Sequence, residues 1–450
     1  MKYLSLISLF FLLVWGTTSC RNDSIKKTFE STLEVDQSLQ KDGLLVFLDS
    51  SYFPMNLDKL SPDEIIQGKK LVQELGKEEF EGLTILEENI HISSFPWFFV
   101  DSVSVSQYEN LVQLQTAKKL EILWNKTLEL QGRKPMMQGD TIWQGRKPQM
   151  QEEWRYDAAA YTSEFVQWIG GGVAGGSVPS TRTVWIIDTG IDAMHQDLNG
   201  ILNTSIGYTD SNGINAYTDQ NGHGTMIAGI IGAIAYNQNN SNGNPSDIGM
   251  NGIFPGAKMV SVKIINEKGN SNMNKLSNAI EYLLNGKAQA GDVVNISLGI
   301  NDKNCDHGKL DDKIIELANK GVYIVFSAGN DTSENSTNFP SCLADGNFMI
   351  SVGSMNMFCT PPNEVLLFSS FSNYGRINSG NPIWVAPGEQ IFSTMPTHQD
   401  SRAVYGIASG TSYSAAFMSG ILYSRGGLPS GNQKVLRGAD PTEYPIAKLD

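Results

Sequence analysis

Five short apolar runs punctuate the chain from residue 183 onward. They are 183-TVWIID-188, 258-KMVSVKII-265, 292-DVVNISLG-299, 321-GVYIVFSAG-329 and 348-FMISVG-353, each apolar on both faces. Between them, periodic stretches predict helices near 223–237, 271–286 and 308–319. A strand that is apolar on both faces must be covered on both. This order therefore predicts a three-layer α/β fold with a mostly parallel central sheet. Two Asn-rich stretches, 237-NQNNSNGNPSDIGMNG-252 and 330-NDTSENSTNFPS-341, read as loops.

Upstream the pattern differs. Residues 44–49 read as a strand and 62–77 as a helix with Pro62 near its start. Two β-rich segments follow at 83–92 and 96–105, then a helical stretch near 107–119 and a strand over 120–130. The order β-α-β-β-α-β across residues 41–130 describes a small α/β sandwich able to fold separately. Residues 131–151 form a linker in which 131-QGRKPMM-137 recurs as 144-QGRKPQM-150. Proteolytic nicking concentrates in such segments, so a maturation cut and an uncut spacer both remain open, although Lys-Pro itself is a poor scissile bond. The α/β body then occupies 152–450.

The first twenty residues, 1-MKYLSLISLFFLLVWGTTSC-20, combine a positive start at Lys2 with an apolar run too brief for an ordinary membrane span. They are expected to direct export. They resemble a bacterial lipoprotein signal in which Cys20 carries lipid and anchors the chain to a membrane facing the periplasm or cell surface. Thr17 departs from the usual large aliphatic residue, and a plain secretory signal is the alternative. Residues 21–40 are polar and read as a tether. A net charge of -14 argues against nucleic acid as partner. The other cysteines are Cys305, Cys342 and Cys359, and the pairings Cys305–Cys342 and Cys342–Cys359 are both open.

Three positions on the body carry the chemistry. Asp188 ends the first strand, at the edge where α/β sites lie. His223 stands between two glycines in 221-NGHGT-225, at a helix start, and Ser412 opens the small-residue helix of 409-SGTSYSAAFMSG-420. Each alone is an ordinary cap or turn residue. Together they supply what acyl hydrolysis through serine needs: a nucleophilic hydroxyl, an imidazole to take its proton, and a carboxylate to hold the imidazole. Asn330, after a buried strand and a glycine, is suited to donate to the oxyanion, with the N–H of Ser412 as second donor.

These residues bring a resemblance into view. DTGID at 188–192, NGHGT at 221–225, SLG at 297–299, SAGN at 327–330 and SGTSYSAA at 409–416 resemble the motifs of the subtilisin-like serine proteases. The resemblance implies the subtilisin-like fold and an endopeptidase, with Asp188 as orienting acid, His223 as base, Ser412 as nucleophile and Asn330 as oxyanion donor. It implies that Ser297, Leu298, Gly299, Ser327, Ala328 and Gly329 line a channel where an extended peptide of the substrate pairs as an added strand. The sandwich at 41–130 then resembles the family's propeptide, an intramolecular inhibitor removed on maturation. No cofactor is required. Calcium sites are common in the family, but loop 237–252 matches no assignable ligand pattern and is expected to be solvated. Phe417 and Met226 depart from the family's usual proline and histidine. The competing reading is a non-catalytic or weakly active lipoprotein on the same fold.

Overall fold

The computed structural model describes residues 44–130 and 156–449, less 56, 58–59, 81, 94–95, 101–104, 118, 125–126, 158–159, 174–180, 211–213, 237–248, 303–304, 361–362, 398–403 and 439. The expected signal with Cys20, the expected tether and the expected repeat-bearing linker lie outside the described residues. The chain divides between Lys126 and Thr127 into two compact units.

In the first unit, β1 (Leu44–Leu48), α1 (Pro62–Glu78), β2 (Ile90–His91), β3 (Trp97–Val100), α2 (Val105–Thr116) and β4 (Leu120–Trp124) follow in the expected order. The strands form an antiparallel sheet ordered β2-β3-β1-β4. Ser61 and Glu64 close a capping box on α1, with Pro62 at its first turn. Val46, Val72, Phe80, Phe98 and Leu111 share one core. The two β-rich segments shrink to short strands: Leu83 and Ile85 serve as buried wall residues instead.

The second unit contains β5 (Thr127–Leu130), β6 (Tyr156–Asp157), β7 (Thr162–Ser163), α3 (Glu164–Ile169), β8 (Val184–Asp188), β9 (Tyr208–Thr209), α4 (His223–Gly232), β10 (Met259–Lys263), β11 (Asn270–Asn272) and α5 (Met273–Tyr282). It continues through β12 (Val293–Ile296), β13 (Leu298–Asn301), α6 (Lys309–Asn319), β14 (Tyr323–Ser327), β15 (Asn338–Phe339), β16 (Met349–Thr360), β17 (Asn363–Phe368), β18 (Trp384–Pro387), β19 (Ile391–Met395), β20 (Val404–Ala408), α7 (Thr411–Arg425), β21 (Lys434–Arg437) and β22 (Asp440–Pro445).

The central sheet runs β17-β16-β14-β12-β8-β10-β9, with β18 also beside β16. Its described pairs are parallel except β16–β17. Alternation in β8 explains the layers. Val184 and Ile186 enter the core shared with α4 and α7, while Trp185 turns its ring edge to Tyr282 of α5. Asp292 fixes that second face by accepting from Trp185 Nε1 at 3.0 Å and Thr183 N at 2.8 Å.

Two expectations change. The helix from His223 stops at Gly232 rather than near 237. The next amides leave the helical ladder: Ile234 N donates to the Asp197 carbonyl, Ala235 N to Asn251 Oδ1, and Tyr236 N to Asp197 Oδ1. The strand expected over 120–130 is two strands serving different sheets. β4 pairs with β1, whereas β5 pairs with β11 and β13. Of the cysteine pairings left open, the structure bonds Cys305 to Cys342.

Candidate active site

The C-terminal end of β8 delivers Asp188, and the first residue of α4 is His223. The imidazole Nδ1 lies 2.9 Å from both carboxylate oxygens, and both side chains are fully buried. Asp188 Oδ1 also accepts from Thr189 N at 2.7 Å, a second contact that restrains the carboxylate. A carboxylate accepts from Nδ1–H, so in the neutral imidazole Nε2 is the nitrogen left to take a proton. That Nε2 is buried and has no hydrogen-bond partner.

The pair forms because the chain approaches closely at Gly224. A methyl group there would overlap the Gly190 carbonyl oxygen and come within 3.1 Å of Asp188 Oδ1. Asp219 organises the same turn, a role the motif reading missed. Its Oδ1 accepts from Thr189 Oγ1, Asn221 N and Gly222 N, and its Oδ2 from Thr225 N and Oγ1. A carboxylate at a helix N-terminus satisfies amides that the helix leaves free. Its signal in the sequence was its place four residues before the histidine.

Beneath this turn lies buried Lys263, whose Nζ donates to the Thr189 carbonyl. Burial lowers its pKa, while the charges of Asp219 and Asp188 oppose that shift. The buried ammonium thus balances two buried carboxylates. It is the second residue that motif reading missed.

Ser412 is the second residue of α7 and is fully buried. Its Oγ donates to the Ser297 carbonyl at 3.3 Å, so the serine–imidazole hydrogen bond is not made in this state. Such bonds commonly tighten only when substrate is present. Tyr413 packs its ring 5.4 Å from the imidazole centroid, and burial followed by the charge of Asp188 pushes its pKa up. Asn330 Oδ1 accepts from Thr411 N at 3.0 Å. This places the carboxamide beside the first turn of α7. Phe417, where proline is usual, is buried in the core, and α7 runs unbroken because phenylalanine keeps its backbone N–H. Its neighbours have packing roles: Ser409 Oγ accepts from Gln390 N, Ser414 donates to the Ala386 carbonyl, and Ser419 donates to Asn295 Oδ1.

One expected channel segment, Leu298–Gly299, and β11 bracket a strand of the chain itself. Leu298 and Gly299 pair antiparallel with Leu130 and Glu129, while Asn270, Ser271 and Asn272 pair with Glu129, Leu128 and Thr127. The small sheet is ordered β11-β5-β13-β15. Ser327–Gly329 leads from β14 toward Asn330, and Gly329 N donates to Thr411 Oγ1 at 3.2 Å.

For calcium, the carboxylate that meets the described ends of loop 237–252 is Asp197. Its oxygens already accept from Tyr236 N, Met250 N and Tyr405 OH, so it does not fit as a free ligand. Among the described residues no group of three or more His, Cys, Asp or Glu is placed to hold a metal. No described helix is long and apolar enough to cross a membrane.

Residues 180–424 match the model of the Subtilase family. The chain is 33% identical over 243 residues to the Major intracellular serine protease of Bacillus subtilis (strain 168), covering 53% of this chain and 66% of that protein. It is 31% identical over 246 residues to Subtilisin E of the same strain, covering 54% and 55% respectively. Subtilisin of Bacillus pumilus is 30% identical over 246 residues, 54% of this chain and 76% of that protein. The chain spans about half to two thirds of the length of the first curated relatives it matches.

Proposed function

This chain belongs to the subtilase family, and on that footing we propose that it is an exported serine endopeptidase that processes its own N-terminal part. The observation that carries the reading is the buried Asp188–His223 pair, 2.9 Å apart, with an unpartnered Nε2. Ser412 Oγ attacks the scissile carbonyl as Nε2 takes its proton, and Asp188 stabilises the imidazolium. The Ser412 N–H and Asn330 Nδ2 meet the oxyanion. The imidazolium then protonates the leaving amine, and water activated by His223 cleaves the ester. The reaction balances without a cofactor, and calcium is left with no assigned ligand.

The first unit and β5 act as the prosegment. What supports this is the seat of β5: directly after that unit, the chain adds a strand between β11 and β13, as an extended substrate would. Residues 1–20 direct export, and lipid on Cys20 holds the chain to the membrane. Replacing Cys20 by serine should remove the lipid mass and release the protein into the soluble fraction.

Ser412→Ala tests the central reading. Labelling by a fluorophosphonate should vanish and hydrolysis of casein should fall by about 10⁵-fold or more, a magnitude carried over from subtilisin itself. Unchanged labelling and hydrolysis would sink the proposal. One observation favours the scaffold reading, namely the turn of Ser412 Oγ toward the Ser297 carbonyl rather than the imidazole. Absence of labelling in fully processed wild-type protein would establish it.

A further inference from the structure

We infer that Asn373, in the loop after β17, is the positioning residue for the oxyanion donor: its carboxamide bridges the turn that carries Asn330 and holds that turn still. Asn373 acts through Asn330 rather than on the substrate, and none of the motifs read from the sequence contains it. The inference rests on the peptidase reading above and adds a residue to that same site.

An oxyanion donor is useful only if it is in place before the charge develops, so the backbone that carries it must not move. Asn330 sits in the turn that leaves β14, and over residues 328–333 neither a helix nor a strand ladder holds the chain. The backbone groups of such a turn need partners from elsewhere. One fully buried side chain supplies most of them. Asn373 Nδ2 donates to the Ala328 carbonyl at 2.9 Å, two residues before Asn330. Asn373 Oδ1 accepts from Asp331 N at 3.0 Å, one residue after it. The same oxygen accepts from Ser333 N at 2.9 Å and Ser333 Oγ at 3.1 Å. The Asn373 amide adds a bond to the Gly329 carbonyl at 2.9 Å. One residue thus closes on the chain both before and after Asn330.

The turn is shaped to receive it. Gly329 has φ of 107°, and a methyl group there would overlap Asn373 Nδ2. Thr332 has φ of 54°, which a β-branched residue keeps only where its surroundings impose it. Here they do: Thr332 N donates to the Phe371 carbonyl and Tyr374 N to the Ser333 carbonyl, both at 3.0 Å. The loop that carries Asn373 is itself pinned to β16. Ser372 Oγ accepts from Ser354 N at 2.9 Å and donates to the Asn373 carbonyl at 2.8 Å. On the nucleophile's side, Thr411 N donates to Asn330 Oδ1 at 3.0 Å. Asn330 is therefore held between the first turn of α7 and the loop of Asn373.

Asparagine suits this task because one planar group must donate and accept at once. Aspartate keeps the acceptor but cannot donate to the Ala328 carbonyl. Alanine removes the partners of that carbonyl and of the Asp331 and Ser333 amides. Either change loosens Asn330 without removing it. The loss then falls on the step in which the oxygen gains charge, not on binding of the ground state.

Asn373→Asp, Asn373→Ala, Asn330→Ala and the two double variants are compared with the wild type on labelled casein. Each Asn373 variant should lose about tenfold or more in kcat with KM within about threefold, less than the about 10²–10³-fold that loss of an oxyanion donor costs. In the Asn330→Ala background the same changes should lower kcat by less than about threefold, because no donor is left to position. A merely structural role would give equal losses in both backgrounds, and that additivity would overturn the inference. So would a kcat within about threefold of wild type in both Asn373 variants. Hydrogen exchange at the Asp331 and Ser333 amides of the wild type should be slowed, and it decides by itself should neither Asn373 variant fold. Exchange there as fast as in open chain would overturn the inference. All these outcomes leave the peptidase reading intact while the wild type labels with fluorophosphonate. A wild type that neither labels nor cleaves casein would overturn both.

Discussion

At the scale of single residues, the site depends on polar groups that are buried because others satisfy them. Asp219 and Lys263 show this: neither reaches a substrate, yet one holds the turn that presents His223 and the other balances its charge. Asp197 is a more exposed case in energetic terms, though fully enclosed. Burial pushes its carboxyl from 3.8 up to about 7, against the hydrogen bonds from Tyr236 N, Tyr405 OH and Met250 N. Because the folded value is the higher one, the folded state keeps a proton that the unfolded chain releases above about pH 4. The associated stability is full below that pH and is lost as pH rises through about 7, a difference on the order of 4 kcal/mol. Asp197→Asn should lower stability overall but flatten this dependence. Urea midpoints at pH 5 and pH 8 check it, and an identical slope in both proteins would refute it.

At the scale of elements, α4 and α7 meet their catalytic duties at their first turns, where free amides and close approach are both needed. Gly224 is the tightest point. Gly224→Ala would drive a methyl group into the Gly190 carbonyl and move α4 away from Asp188. The expected result is a fall in kcat/KM of about 10²-fold or more with the far-ultraviolet circular dichroism retained. Stability should drop by about 1–3 kcal/mol. Activity within threefold of wild type would show that the turn adapts. α7 makes the complementary point. Its serines and alanines read in sequence as either packing or chemistry, and the helix does both, since only its first turn carries the nucleophile.

At the scale of the whole molecule, β5 is the strand that joins sequence order to function. It follows the first unit in the chain and pairs inside the second. A fragment of residues 44–131 should therefore inhibit the processed enzyme in trans, and a fragment ending at residue 126 should inhibit at least about tenfold less, having lost the added strand. Inhibition constants for the two fragments are the measurement. Equal constants would remove β5 from the account.

How much was legible follows from range. Apolar runs covered on both faces require helices on both sides, so the order of runs alone determined the parallel sheet and its layers. The spacing of Asp188, His223, Asn330 and Ser412 determined the candidate chemistry, because each motif is local: a strand end, a helix start, a strand-to-loop turn. Partnerships across the chain were not legible. Nothing near residue 120 says that 120–124 and 127–130 join different sheets, since one pattern of alternation suits either. Likewise no local signal said that Asn373 bridges the turn around Asn330, or that Asp197 ties down residues 236 and 250. Those facts depend on which polar groups the fold brings together and which it leaves unpaired, and only the tertiary structure decides that.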